Sequence, residues 1–383
     1  MKISNGLTLW VMFASATLTV MAGSMLTPVV NLVRDGLGAD PASAGLIITT
    51  HALFMALSSP LVGIFIDRIG TRKPFIFGLI LYGLSGGSGL FITSYWLLIA
   101  SRAILGIAVA IIMNSITVII LNLYEGAERN KIMGWRASSN SFGTMIFPLI
   151  GGALGSFSWH LPFAVYTVGL PLGLLALITI PETYRDKDRD NREDDSILQI
   201  IRDNHVLLAI YGFMFLYTII LFANVVFLPQ LLETIGISSP FFISLFFTIA
   251  GLSAALTSLM YGKIKSKLSY KAIVLISLAL RAFGLIVISQ AHSTLLIAMS
   301  VVSIGISRGA VGPAIQVWVG ELVPISYRGR IISYLTALGY IGQFLSPILF
   351  SPVFSVLEYT GVFLVAGGIG VLLFLLFLVF LRK

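Results

Sequence analysis

Between two long apolar runs the sequence places GIFIDRIGTRK, Gly63 to Lys73, with one acid, three cations and two glycines in eleven residues. A short charged turn flanked on each side by about 20 apolar residues is what two consecutive bilayer-crossing helices require. Composition extends that reading to the whole chain. Of 383 residues 57% are hydrophobic and 10% charged, far from the roughly one quarter charged residues of a soluble domain, which excludes a water-soluble globule. The net charge of +8 does not indicate a nucleic-acid partner, because the basic residues are scattered through short connections. With no cysteine, disulfides, thiolate metal sites and cysteine nucleophiles are excluded. The first apolar run, from near Leu7 to Val30, has no small-residue cleavage pattern and is expected to remain as a span.

Apolar runs near 8–31, 43–66, 75–93, 96–122, 132–156, 162–180, 205–232, 240–262, 272–290, 294–320, 331–355 and 360–381 give an expectation of twelve transmembrane helices in an all-α membrane protein. Alternate connections collect nineteen Lys and Arg, whereas only Arg34 falls on the opposite side. Short basic loops stay in the cytoplasm, so both termini are expected there, in a multi-pass protein of the cytoplasmic (inner) membrane. A polar stretch from Pro181 to Asn204, with DKDRDNREDD at its centre, reads as a linker. The expected domains are thus 1–181, a six-helix bundle; 182–204, a cytoplasmic linker; and 205–383, a second six-helix bundle.

A constant offset of 199 superposes Gly63 on Gly262, Arg68 on Lys267, Arg72 on Lys271, Gly106 on Gly305, Gly143 on Gly342 and Pro148 on Pro347. One offset held over five spans is an internal repeat, and six intervening spans make the two copies parallel. Such repeats are expected to enclose a cavity near the bilayer midplane that opens to each side in turn.

Several segments together resemble the major facilitator superfamily, in particular its twelve-span drug:proton antiporter branch. They are GIFIDRIGTRK, with Gly63, Asp67, Arg68, Gly70 and Arg72 as a conformational latch; SRAILG, Ser101 to Gly106; and the loops PETYR and ELVPISYRGR. In physical terms Gly63 is expected to permit close helix approach, Gly70 a tight turn, and Asp67 a contact with a helix N-terminus near residues 330–333. The fifth span, GWRASSNSFGTMIFPLIGG, resembles the antiporter motif through Gly143, Pro148, Gly151 and Gly152, with Phe147 where that pattern has glycine.

The resemblance implies secondary active transport of a small organic solute by alternating access, and export with protons as the coupling ion. The partners expected are the solute, the lipid bilayer and protons, for a monomeric protein without cofactor, metal or enzymatic activity. It also implies that the first, fourth, seventh and tenth spans line the cavity, making Ser24, Asn114, Tyr217, Asn224, Arg308 and Gln316 candidate substrate-binding residues. No carboxylate is deeply embedded, whereas Arg102, Arg281 and Arg308 are; this favours an anionic, zwitterionic or lipid-like solute. His51, at membrane depth and with an ordinary pKa near neutrality, is the candidate proton carrier, with Arg102 beside it in function. Arg281 has no evident partner. An uptake carrier of the same fold is the alternative. An intramembrane serine protease is a remote one, raised by Gly83-Leu84-Ser85-Gly86-Gly87.

Overall fold

The computed structural model describes residues 6–41, 43–124, 126–181, 204–291, 293–323 and 328–380. The chain divides into two compact units, Met1–Asn191 with Ser239–Ser244, and Arg192–Ser238 with Leu245–Lys383. Helix is the only regular structure among the described residues, as expected of apolar chain that must satisfy every backbone group internally.

The first unit contains α1 (Gly6–Ser24), α2 (Val30–Gly36), α3 (Ala44–Ile69), α4 (Arg72–Gly87), α5 (Tyr95–Leu123), α6 (Gly126–Gly155), α7 (Leu161–Ala164) and α8 (Gly169–Thr179). The second contains α9 (His205–Thr234), most of α10 (Pro240–Leu259), α11 (Tyr261–Lys265), α12 (Tyr270–Ser289), α13 (Thr294–Leu322) and α14 (Arg328–Phe380). Asn204 and Ser269 cap α9 and α12 through side-chain oxygens that accept from Leu207 N and Ala272 N at 3.1 and 3.2 Å. Gly70, at φ 84°, ends α3 in a turn that an L side chain enters only under strain.

Nine helices among the described residues are long and apolar enough to cross a membrane, against twelve expected. The difference has three local causes. The expected 75–93 span is shorter as α-helix, since α4 ends at Gly87 and gives way to a 3-10 turn at Ser88–Leu90. The long α6 starts at Gly126 with a charged first half, and its uncharged stretch 138–155 is diluted by serine, asparagine and glycine. The last two expected spans both fall within α14, 53 residues broken at Glu358, whose φ of 55° and ψ of −164° are not helical and which lies in the connection expected between 355 and 360. The first span is itself interrupted: α1 stops at Ser24, and a 3-10 turn over Thr27–Val29 leads into α2. That irregular stretch is buried, where protein rather than lipid surrounds it.

The repeat is legible in three dimensions. The helices α5 and α13 each have 29 residues, and both are bracketed by extended residues, Ser94 and Tyr124 in one and Ser293 and Val323 in the other, each pair 199 apart. A Cβ on Gly106 would lie 2.1 Å from the His51 carbonyl oxygen, and one on Gly305 would lie 2.4 Å from that of Ala250, the residue equivalent to His51. Both glycines therefore let a fourth-position helix touch a second-position helix backbone to backbone. Gly63 does not act this way. A Cβ there would meet no atom within 4 Å, because twelve residues of helix turn it about 120° from the face that His51 presents to α5.

Candidate functional site

In the first unit the site is built around Arg102, fully buried near the start of α5. Its Nη2 donates to the Gly86 carbonyl at 3.2 Å, and its guanidinium lies 5.2 Å from the Phe163 ring centroid and 5.0 Å from that of Tyr166. Gly86 is the penultimate residue of α4, where carbonyls lose their intrahelical partners and the helix dipole favours a cation. Ser101 Oγ donates to the adjacent Ser85 carbonyl at 2.6 Å. Arg102 and Ser101 thus cap the C-terminal end of α4. His51 is buried one helical turn of α5 away, across the Gly106 contact, with Nδ1 forming no hydrogen bond. The sequence left the distance between His51 and Arg102 open, and the fold brings them into one polar cluster.

In the second unit the corresponding positions carry different chemistry. Tyr82 Oη donates to the Leu18 carbonyl at 2.7 Å; 199 residues on, Arg281 Nη2 donates to Tyr217 Oη at 2.7 Å. Arg281, without an evident partner in the sequence, is fully buried at the middle of α12 and stacks 4.4 Å from the Tyr217 ring centroid. Ser307 Oγ lies 3.4 Å from Tyr217 Oη. The sequence reading missed Ser307, although its place beside Arg308 was a signal.

The six cavity candidates separate into three kinds. Arg308 and Gln316 are exposed on α13, and Gly312 between them has open space around its Cα. Ser24 and Asn114 are half-buried; Ser24 Oγ donates to the Val20 carbonyl at 3.0 Å, and Asn114 Nδ2 is 3.5 Å from the Ser59 carbonyl and hydroxyl oxygens. Tyr217 and Asn224 are buried, and Asn224 Oδ1 forms no hydrogen bond. No Asp or Glu is buried among the described residues. An apolar groove of about 550 Å³, lined by Leu61, Phe65, Phe77, Ile107 and Ile111 and reaching Lys73, contains none of the candidates.

Of the latch residues, Arg72 donates to the Leu177 carbonyl and so joins the start of α4 to the end of α8, a structural tie beyond its role in orientation. The side chains of Asp67, Arg328 and Arg330 lie outside the described part of the structure, as do most of PETYR, the linker and residues 324–327. In α6 the Phe147 ring folds back within 3.0 Å of a Cβ on Gly143, and Gly151 lies against the Met25 carbonyl, 2.0 Å from where its Cβ would be. A glycine at 143 therefore makes room for the phenylalanine at 147. The serine of Gly83–Gly87 is no nucleophile elbow: it lies within α4, with Ser85 Oγ donating to the Leu81 carbonyl at 2.7 Å.

Each unit thus buries a cluster of polar side chains inside an apolar helix bundle, on a scaffold repeated at one offset. The model of the Major Facilitator Superfamily matches residues 12–246 and again 213–383. A bacillibactin exporter of Bacillus subtilis is 24% identical over 350 residues, 88% of this chain and 87% of its own length. A probable vesicular acetylcholine transporter of Danio rerio is 35% identical over 150 residues, but these are 38% of this chain and only 30% of that protein. Among solved structures, an inward-facing bacterial homologue of the human lysosomal transporter Spinster superposes with a TM-score of 0.81 at 15% identity, over 99% of this chain and 96% of that one. The chain belongs to the Major Facilitator Superfamily.

Proposed function

We propose that this transporter is a proton-coupled exporter of a small organic solute, working by alternating access in the cytoplasmic membrane with twelve crossings and both termini in the cytoplasm. The observation that carries the transport site is the exposure of Arg308 and Gln316 on one face of α13, with Arg308 midway along this 29-residue helix. A guanidinium facing lipid at that depth costs about 3 kcal/mol or more, so this face borders water, and Arg308, Gln316 and the half-buried Ser24 and Asn114 are the solute contacts we assign. Export is supported by the full-length similarity to a bacillibactin exporter and by the glycine and proline pattern of α6. His51 is assigned as the proton carrier, with Arg102 beside it.

Everted vesicles containing the protein, loaded by an imposed inside-acid gradient, test this reading with a panel of an anionic dye, a lipophilic cation and a lysolipid. Gradient-driven accumulation of one of them, reduced to the gradient-free level in His51→Gln while counterflow exchange persists, supports a proton-coupled exporter. Accumulation driven only by an outside-acid gradient would identify a proton symporter, an uptake carrier, instead.

A further inference from the structure

Three polar side chains meet in the second unit, Arg281 of α12, Tyr217 of α9 and Ser307 of α13, and Arg308 follows Ser307 on α13. The Arg281 guanidinium is fully buried, and its Nε and Nη1 form no hydrogen bond. Its Nη2 donates to Tyr217 Oη, so that oxygen already serves as an acceptor and its own hydrogen is directed elsewhere. Ser307 Oγ, at 3.4 Å, is a long partner for it. Arg308 stands within electrostatic range of both Tyr217 and Arg281, and no hydrogen bond or ion pair joins it to a described residue. The cluster thus combines two cations with surplus donors, and no buried carboxylate balances them among the described residues.

An uncompensated cation in an apolar setting is held at the cost of its lost hydration. Arg102 has a local reason for its place, the end of α4. Arg281 sits mid-helix and has none, so its charge awaits a partner from outside the chain.

We propose that this cluster is a subsite for the carboxylate of an organic anion. Arg308 and the Tyr217 hydroxyl contact the two carboxylate oxygens, and Arg281 is a positioning residue that orients Tyr217 and adds its field from behind. One exposed guanidinium and one hydroxyl match a planar monoanion; a phosphoryl dianion would need further donors at the surface of the cluster. The inference rests on the reading that Arg308 faces the solute path, and it names the class of solute.

The absence of cysteine permits a test that needs no knowledge of the solute. Gly312 lies one helical turn from Arg308 on the same face, and a Cβ there meets no atom within 4 Å, so Gly312→Cys places a single thiol beside the cluster in the full chain. It is labelled with sulfonatoethyl and with trimethylammonium-ethyl methanethiosulfonate, and the ratio of the two rates is divided by the same ratio for 2-mercaptoethanol. The anionic reagent should be favoured about tenfold, the effect of nearby positive charge in a partly desolvated site. The preference should fall at least several-fold with Arg308→Gln or Arg281→Gln. Sodium benzoate should protect the thiol, benzamide and sodium chloride at equal ionic strength should not, and Tyr217→Phe should lose the protection while keeping most of the charge preference. If Arg281→Gln does not fold, the Arg308 and Tyr217 variants decide the matter. A normalised ratio of one, no labelling by either reagent, no protection by benzoate, or equal protection by benzamide or chloride overturns the proposal. Because the ratio does not depend on the direction of transport, failure of the vesicle experiment with this selectivity intact counts against export alone.

Discussion

Arg102 and Arg281 are both fully buried and both lack acceptors for Nε and Nη1, yet they are held in opposite ways. Arg102 caps a helix end and faces two aromatic rings, so fold stability accounts for it. Arg281 sits mid-helix and meets a single tyrosine on a neighbouring helix, through its hydroxyl and the face of its ring, with no helix end to cap, and stability does not account for it. The contrast is informative because the scaffold beneath is the same: positions 18 and 82 contact each other as 217 and 281 do, 199 residues on. Two copies of one packing plan have diverged in the chemistry they bury. A buried charge with a structural reason argues weakly for function, and one without a reason argues strongly for it.

The largest expected effect tests the shared scaffold. Gly106→Val and Gly305→Val each drive a side chain into a backbone carbonyl, at 2.1 and 2.4 Å from the first added carbon, and each should cost about 3 kcal/mol, read as a large drop in thermal midpoint in detergent. If only Gly106→Val destabilises, the two halves are not equivalent at this contact. The next effect separates the arginines. Arg102→Met should lose about 2 kcal/mol, since it strands the Gly86 carbonyl. Arg281→Met should stay within about 1 kcal/mol of the parent or exceed it, since it removes an uncompensated charge at similar volume. Equal losses would erase the distinction drawn here. The smallest effect compares the tyrosines: Tyr82→Phe removes a neutral hydrogen bond worth about 1 kcal/mol and Tyr217→Phe a charge-assisted one worth about 1.5 kcal/mol. A double variant with Arg281→Met would show whether the Tyr217 loss disappears with the charge.

Residue order alone determined that this chain is a helical membrane protein with two parallel repeats, because apolar length, basic loops and a constant offset are properties of sequence. It also singled out Arg102, His51, Arg308 and Gln316 as polar groups within long apolar runs. Other features were decided only by the fold. The break after Ser24 is one, since the apolar run continues unbroken from Leu7 to Val30. The approach of His51 to Arg102 depends on Gly106 letting two backbones touch, and Gly63, which looked equally suited, faces no neighbour. The partner of Arg281 lies 64 residues away on another helix. The offset of 199 pairs it with Tyr82 and pairs Tyr217 with Leu18, but a repeat states which positions correspond, and only the packed helices state which of them touch. Sequence periodicity fixes the face on which a side chain stands, while its partner is set by which helix the tertiary structure lays against that face.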